Sequence, residues 1–226
     1  MIFGGYFLLV INSKPMGDSP PAKKFRFVAG DLALDFTNTV GGKRGGIARE
    51  NLHRYADFLS WCSQAGLVDE AATRELTNQA DRHPEQAAAV LTRAIELREA
   101  IYRIFAAVVE HRAVAQEDIA LLNRELGRGL KRLSVIPGKG KTDFDWAWAK
   151  DPGALDQPLG PVARATAELL VSEGQLRHVQ RCGGGNCGWL FLDSSKNHSR
   201  RWCDMRDCGN RAKVRRHRLN HQPKAR

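Results

Sequence analysis

Four of the five cysteines in this 226-residue sequence lie within 27 residues of one another. They form two pairs, each with four intervening residues, and fifteen residues separate the pairs: Cys182 and Cys187, then Cys203 and Cys208. Such pairs suit a tetrahedral ion, because each turn supplies two thiolates and the insert returns the chain to the first pair. Soft thiolates favour zinc or an iron–sulfur cluster. The spacing therefore predicts a structural zinc site, and it leaves iron–sulfur and a disulfide open as alternatives.

Two further residues are candidate ligands. Cys62 recurs with Leu52, Tyr55 and Leu59 at three- and four-residue steps, so we interpret it as a buried side chain on an apolar helix face. His198 lies between the cysteine pairs and is an alternative to one of the cysteines. We favour an exposed loop histidine at this position.

The excess positive charge of the chain is confined to its last fifty residues. The whole sequence has 35 Lys and Arg against 25 Asp and Glu, and residues 177–226 hold thirteen of these basic residues but only three of the acidic ones. A positive field at one end predicts a polyanionic partner, with nucleic acid preferred over a membrane surface. The candidate nucleic-acid contacts are Lys196, Arg200, Arg201, Arg211, Lys213, Arg215, Arg216 and Arg218.

Apolar periodicity predicts a mainly helical fold before the cysteines. Helices are expected at about 85–112, 116–126 and 162–175, with an earlier one ending near Gly66. A β-hairpin is expected where Phe144, Trp146 and Trp148 alternate after a Pro-Gly turn. This aromatic stripe indicates core, with a stacking platform for bases as the alternative. The predicted fold class is mainly α with a small β-hairpin (α+β), then a zinc-ribbon-like finger and a basic helix.

The domain organisation predicted from these patterns has three parts. Residues 1–24 are interpreted as a leader, with Met16 as an alternative start. Residues 25–176 form a helical domain, and residues 177–226 form the finger with its basic helix and tail. The apolar run at residues 2–11 is too short to span a membrane and has no cleavage site after it. We therefore expect a cytoplasmic protein with no membrane partner.

Catalytic and phosphate-binding motifs are not apparent. An all-cysteine zinc site leaves no open position for a substrate, and we find no acid–base constellation at informative spacing. The sequence therefore predicts that the protein is not an enzyme. The glycine-rich segment at residues 41–46 fits neither the P-loop nor the dinucleotide-binding fingerprint, so we interpret it as a flexible surface loop.

Two segments resemble a known family. Residues 203–213, CDMRDCGNRAK, preceded by FLDSSKNHSRRW, are similar to the CGNR zinc finger. Residues 34–39, LDFTNT, are similar to a motif of the ABATE domain, found in bacterial proteins described as stress-induced transcription regulators. The resemblance covers about residues 25–219. It implies that the four clustered cysteines bind zinc and that the finger binds DNA.

The function predicted from charge, cysteines and resemblance is transcription regulation through DNA binding, in response to stress. The helical domain is expected to sense a small-molecule effector or to form a homodimer. Asp35 and Asn38 are the candidate effector contacts, since polar groups among apolar neighbours must be paired or functional. Local capping and turn hydrogen bonds are the alternative for both. The alternative functions are RNA binding and a zinc-stabilised protein-interaction module.

Overall fold

The computed structural model describes residues 23–140, 142–149, 151 and 153–220. All but the last two residues of the predicted leader lie outside these ranges. The helices are α1 (Leu32–Thr37), α2 (Tyr55–Gln64), α3 (Glu70–Arg82), α4 (Pro84–Val109), α5 (Gln116–Leu130), α6 (Leu159–Val171), α7 (Glu173–Leu176) and α8 (Asn210–Asn220), and a π-helical turn spans Met205–Gly209. The strands are β1 (Gly41–Gly42), β2 (Ala48–Arg49), β3 (Leu133–Pro137), β4 (Phe144–Trp148), β5 (Val179–Arg181) and β6 (Leu190–Leu192).

The strands pair consecutively as three antiparallel two-stranded sheets within the described ranges. Helices dominate the remainder, and the chain ends in a cysteine cluster followed by a basic helix. This arrangement confirms the fold class predicted from the sequence.

The long helix α4 is the centre of the core. It begins at Pro84, where a proline costs no helical hydrogen bond because the first N–H groups of a helix have no partner within it. Leu97, Ile101, Ile104 and Phe105 recur at helical spacing and are completely buried. Helices α1, α2, α3, α5 and α6 all pack against α4. No helix in the described part of the chain is both long and apolar enough to cross a membrane.

Helix α1 is short and almost entirely buried. The carboxylate of Asp31 begins it by accepting hydrogen bonds from the backbone N–H groups of Ala33 at 2.8 Å and Leu34 at 3.3 Å. Leu34 and Phe36 then enter the core. Because α1 contacts α4, α6 and strand β6, it joins the helical part to the cysteine-containing part.

Helix α2 confirms the predicted C-cap and the predicted burial of Cys62. Gly66 has a φ of +73°, and the N–H of Leu67 donates to the carbonyl of Cys62 at 2.9 Å. The side chain of Cys62 is 0% exposed, and burial raises the pKa of its thiol. Helix α3 was not predicted from the sequence, because it is largely polar and Leu76 is its single buried residue, so few apolar positions mark it.

The hairpin of β3 and β4 has the predicted strands, with Val135 opposite Trp146. The prediction that its aromatic stripe belongs to the core is wrong for two of the three rings. Phe144 is 72% exposed and Trp146 is 59% exposed. The third ring, Trp148, lies at the base of the hairpin against Gly160 of α6. Alternation correctly placed the rings on one face, but it does not tell whether another element covers that face.

Candidate metal centre and basic surface

The sulfur atoms of Cys182, Cys187, Cys203 and Cys208 lie within 4.8 Å of one another. The Cys203 sulfur is 3.8 Å from that of Cys187 and 3.7 Å from that of Cys208. Sulfur atoms 2.3 Å from a central zinc ion in a tetrahedron are separated by about 3.8 Å. The two measured separations therefore match a tetrahedral zinc–thiolate site.

The first cysteine pair is held by a tight glycine turn. The N–H of Cys187 donates to the carbonyl of Gly184 at 3.0 Å, and the N–H of Cys182 donates to Trp189 at 2.9 Å. A Cβ atom at Gly184 would lie 3.2 Å from the Cys208 sulfur and 3.5 Å from the Cys182 sulfur. Glycine suits this position because the backbone passes close to the thiols and an added Cβ atom would crowd them.

The second cysteine pair is held by the π-helical turn. The carboxylate of Asp204 accepts a hydrogen bond from the N–H of Arg206 at 2.7 Å, which begins the turn. The side chain of Asn210 donates to the carbonyl of Arg206 at 3.0 Å, which links this turn to α8. Gly209 leaves room for Met205, whose sulfur would be 2.5 Å from a Cβ atom at that position. The side chains of Asp204 and Asn210 thus hold the second turn, where the first turn relies on a run of glycines.

An arginine side chain and backbone N–H groups also donate hydrogen bonds to the sulfurs. Arg211 Nη2 donates to the Cys208 sulfur at 3.1 Å, and the backbone N–H of Cys203 donates to the Cys182 sulfur at 3.3 Å. Donors at this position stabilise metal-bound thiolates and fix their orientation. Hydrogen bonding to Cys208 also raises the pKa of the Arg211 guanidinium. The arginine of the CGNR segment is therefore a direct neighbour of the metal centre.

The four thiols are close enough to compete for protons. Hydrogen bonds from Cys187 and Cys203 lower the pKa of Cys182 to about 2. Hydrogen bonding with Cys182 raises the pKa of Cys187 to about 12 and raises the pKa of Cys203 as well. Among these three thiols protons favour a single thiolate, at Cys182, whereas a bound divalent cation favours the thiolate form of its ligands. The donor set therefore fits a metal ion better than it fits four free thiols.

The insert between the pairs is ordered by Asp193, which is 2% exposed. Its carboxylate accepts hydrogen bonds from the N–H groups of Ser195 and Arg200, both at 2.9 Å. His198 Nδ1 lies 2.8 Å from the Asp193 carbonyl, and its ring stacks on His178 with centroids 3.5 Å apart. Among the described residues, His198 is not part of the group able to hold a metal. The favoured interpretation of His198 as a loop residue agrees with this position.

The cysteine-containing part is docked on the end of α1. Asn38 Nδ2 donates to the Leu190 carbonyl at 2.8 Å, and the Leu190 N–H donates to Asn38 Oδ1 at 3.1 Å. Nearby, Trp189 Nε1 donates to the carbonyl of Val40 at 2.7 Å. Leu190 and Phe191 of β6 are completely buried in the same core as α1 and α4. The two predicted parts of the chain thus share a hydrophobic core.

Asp35, the other candidate effector contact, also bonds to the backbone. Its Oδ1 accepts hydrogen bonds from the N–H groups of Val28 and Ala29, both at 2.9 Å. Burial raises the pKa of this carboxyl to about 6, although these two hydrogen bonds act in the opposite direction. Hydrogen bonds to nearby backbone, the local alternative, account for the position of Asp35. The side chain of Asn38 instead makes a long-range pair of hydrogen bonds with Leu190.

Arg26, near the amino end of the described residues, contacts the finger through two ion pairs and an aromatic ring. Arg26 forms ion pairs with Asp204 and with Asp207, the latter at 2.7 Å. Its guanidinium also lies 5.6 Å from the centre of the Trp189 ring. These contacts engage two of the three acidic residues of the finger. Asp207 also pairs with Arg211 at 3.1 Å, and Arg181 pairs with Glu110 of the helical part.

The predicted nucleic-acid contacts divide into two groups. Seven are exposed: Lys196, Arg201, Arg211, Lys213, Arg215, Arg216 and Arg218. Arg200 is partly buried, and its guanidinium donates to the carbonyls of Trp202 at 3.0 Å and Val28 at 2.7 Å. It also covers the Phe191 ring at 4.4 Å. Arg200 therefore supports the finger from inside, in contrast to the role expected from its charge.

Helix α8 presents the exposed basic residues on a free-standing element. It contains five Lys and Arg and no acidic residue, and its principal packing neighbour is the π-helical turn. Arg211, Arg215 and Arg218 line one groove with Val214 and Leu219, which are 50% and 61% exposed. A Cβ atom on Gly185 would be 2.6 Å from Arg215 Nη1. The first cysteine turn therefore touches this arginine of the helix.

Family models match two consecutive parts of the chain. The ABATE model, described as "Putative stress-induced transcription regulator", matches residues 30–173. The CGNR zinc finger model matches residues 178–221. Neither of these is a family of enzymes. A comparison with curated proteins finds no match.

These matches confirm the family resemblance predicted from the LDFTNT and CGNR segments. Together with the four clustered thiols, the zinc finger match identifies zinc as the cofactor. The prediction of zinc from cysteine spacing is therefore confirmed.

Proposed function

We propose that this chain, which belongs to the ABATE family and carries a CGNR zinc finger, is a cytoplasmic transcription regulator that binds duplex DNA through helix α8. In this proposal Cys182, Cys187, Cys203 and Cys208 are the zinc ligands. The observation that carries the proposal is the direct attachment of a wholly basic helix to the cysteine cluster, two residues after Cys208.

The zinc ion contributes charge neutralisation and a fixed link between the two cysteine turns when it is bound. The chain's own residues hold α8 in position. Asn210 ties the second turn to the first residues of α8, and Arg211 binds the Cys208 sulfur. Arg215 lies against Gly185 of the first turn. Both turns therefore determine where α8 projects, so its arginines are arranged before any partner arrives.

Duplex DNA is favoured over RNA by the shape of this surface. An α-helix fits the major groove of B-form DNA, whereas the major groove of A-form RNA is too narrow for side chains to read. Helix α8 is a free-standing helix whose Arg211, Arg215 and Arg218 share one face. Guanidinium groups in such a row suit phosphate oxygens and guanine edges.

Salt dependence of binding tests the proposal. Fluorescence anisotropy of the zinc-loaded chain with a labelled short duplex should give a log affinity that falls against log salt with a slope near about −4.5 for five phosphate contacts. Arg215→Gln combined with Arg218→Gln should weaken binding and make the slope shallower by about 1.8. Arg82→Gln is the matched control, because Arg82 is an exposed arginine at the end of α3.

The same assay separates the alternatives. Stronger binding to a single-stranded or hairpin RNA than to duplex DNA would replace DNA with RNA in the proposal. Salt-insensitive or undetectable binding to both would contradict it and favour a protein-interaction module. Equal effects of the double variant and of Arg82→Gln would exclude α8 as the contact surface.

A further inference from the structure

A cavity of about 350 Å³ lies between α4, the glycine-rich segment and strand β5. It shares no lining residue with the basic groove of α8. Lys43 and Arg44 line it from the glycine-rich segment, and Arg181 lines it from β5, one residue before Cys182. The Gly188 N–H donates to the Gly42 carbonyl at 3.0 Å and holds these two sides together. The segment interpreted from sequence as a flexible surface loop is thus one wall of a cavity.

The lining of this cavity is rich in basic side chains. Arg103 and Arg112 join the three basic residues already named. Two lining acids, Glu110 and Asp118, and one acid behind the wall, Glu99, pair with these arginines. Five basic residues against three acidic ones leave a surplus of two positive charges. A partly enclosed cavity with this surplus favours an anionic occupant.

Two guanidinium nitrogens of the lining residues are buried without a hydrogen-bond partner among the described residues: Arg44 Nη1 and Arg181 Nε. Buried donors are nearly always paired in folded proteins, so an unpaired one indicates a missing partner. Both belong to side chains that line this cavity. A ligand oxygen in the cavity, reached after a small side-chain adjustment, is a partner of the right chemistry for such donors.

Arg44 is fixed in advance of binding. Its Nε donates to Glu99 at 2.7 Å and its Nη2 to the Thr37 carbonyl at 2.8 Å. Its guanidinium lies 3.8 Å from the centre of the Tyr102 ring. Because these contacts use Nε and Nη2, they restrict the guanidinium, so a small adjustment presents Nη1 to a ligand with little loss of conformational entropy. Arg181 is similarly fixed by Glu110, at 2.6 Å from its Nη1.

We propose that this cavity binds a small organic anion whose phosphate or carboxylate group is held by Arg44, Arg181 and Lys43. Ala106 and Ala107 of α4, with Ala113 and Ala115 after it, supply an apolar wall for the rest of the molecule. The volume is within the range of small-ligand sites, which begins at about 300 Å³, and it exceeds what an inorganic phosphate needs. This site is independent of the proposed DNA contacts.

Calorimetric titration of the full zinc-loaded chain, without nucleic acid and at constant ionic strength, tests this inference. The probes are phenyl phosphate, benzoate and the neutral analogue phenol. Saturable binding of phenyl phosphate or benzoate at one site per chain, with no binding of phenol, is expected. The anion that binds with the higher affinity shows whether the site prefers a phosphate or a carboxylate group. Absence of saturable binding of both anions would overturn the proposal.

Variants locate the binding site. Arg181→Gln and Lys43→Gln should each weaken anion binding by about tenfold or more, because each removes a charged donor from the site. Arg124→Gln, at an exposed position of α5 away from the cavity, should leave it unchanged. Lys43 is itself exposed, so its variant should fold even if Arg181→Gln does not. Equal affinity in Lys43→Gln and Arg124→Gln would contradict the proposed site.

Discussion

Asn38 and Leu190 are 152 residues apart in the chain, and the side-chain amide of Asn38 bonds to both the N–H and the carbonyl of Leu190. Asn38 is the residue that ends α1, and Leu190 begins β6 of the finger. An amide supplies the donor and the acceptor that the free edge of a strand requires. This single side chain therefore replaces a neighbouring strand and fixes the finger to the helical part.

Replacing Asn38 with leucine tests this attachment. The substitution keeps the number and branching of the side-chain heavy atoms but removes both hydrogen-bonding groups, so two buried backbone groups of Leu190 are left unpaired at about 1–3 kcal/mol each. We expect the free energy of unfolding to fall by about 2–6 kcal/mol in urea titrations. Asn78→Leu, at an exposed position of α3, should change it by less than about 0.5 kcal/mol. A similar effect of both substitutions would mean that the Asn38 amide does not hold the finger.

The crossing of α5 and α6 depends on Gly129 and Gly160. A Cβ atom on Gly129 would lie 2.6 Å from the Cα of Gly160, so the two helices meet backbone to backbone. Gly129→Ala should destabilise the protein by about 1–3 kcal/mol, because backbone cannot move aside as a side chain can. Thermal unfolding followed by circular dichroism measures the effect.

Gly127→Ala is the control for this crossing, since it lies in the same helix with no atom within 4 Å of the added methyl group. It should stabilise α5 by about 0.5–1 kcal/mol, the usual advantage of alanine over glycine in a helix. Equal loss of stability in the two variants would contradict the close approach of α5 and α6.

Glu50 should give the protein part of its resistance to acid. Burial acts to raise the pKa of this carboxyl, but hydrogen bonds from Arg98 and from the N–H groups of Leu52 and Asn51 outweigh it and lower the pKa to about 2. A depressed pKa in the folded state contributes stability above the unfolded value of 4.5, and this contribution is lost as pH falls from 4.5 towards 2.

Glu50→Gln, measured by urea unfolding at several pH values, isolates this contribution. At pH 7 the variant should be less stable than the wild type, because Arg98 is 2% exposed and loses the charge of Glu50 while keeping its pairing with Glu99. The difference should shrink as pH falls below 4.5. A difference that stays constant from pH 7 to pH 2 would contradict the proposed linkage.

Several features of the fold were predictable because they are local. Helix α4, the C-cap at Gly66 and the β3–β4 hairpin follow from periodicity and turn residues, which depend on neighbours in the chain. The burial of Cys62 follows from the same periodicity. The zinc site was predictable for a related reason: two close thiol pairs constrain an ion whatever the rest of the chain does.

Long-range contacts explain what the sequence did not reveal. Phe144 and Trp146 are largely exposed although Gly160 and Arg164 of α6 lie against Trp148 and Trp146 on the same face. Alternation carries no information on how far a neighbouring helix covers a strand face. Arg200 is used internally because Val28, 172 residues earlier, supplies one of its acceptors. The cavity at Arg44 and Arg181 joins residues that are distant in sequence. The feature of the sequence that pointed to this cavity was the pair Lys43 and Arg44 inside the glycine-rich segment.

The metal ligands can be tested one by one against a matched cysteine. Cys203→Ser should lose zinc, because a hydroxyl is a poor substitute for a thiolate and the Cys203 sulfur lies at tetrahedral-site distances from those of Cys187 and Cys208. Cys62→Ala should keep one zinc ion per chain, since Cys62 is buried in α2 and is not in the group of clustered thiols. Metal analysis of the purified variants gives the stoichiometry. Full zinc content in Cys203→Ser would remove Cys203 from the proposed ligand set.

Zinc-free protein should unfold locally around the cysteines. The turns at residues 183–186 and 204–207 lose their link, and α8 loses the platform on which it begins. Helices α2–α6 should keep most of the far-ultraviolet circular dichroism signal, while the near-ultraviolet signal of Trp189 and Trp202 should change. An unchanged near-ultraviolet spectrum after complete zinc removal would show that the cysteine turns do not need the ion.

The central claim is that a bound zinc ion places the arginines of α8 for DNA binding. Titrating zinc into the metal-free chain while recording DNA anisotropy tests it most directly. The account predicts that binding rises with added zinc and saturates at one equivalent per chain, with little binding before zinc is added. Metal-free protein that binds duplex DNA as tightly as the zinc-loaded chain would contradict it.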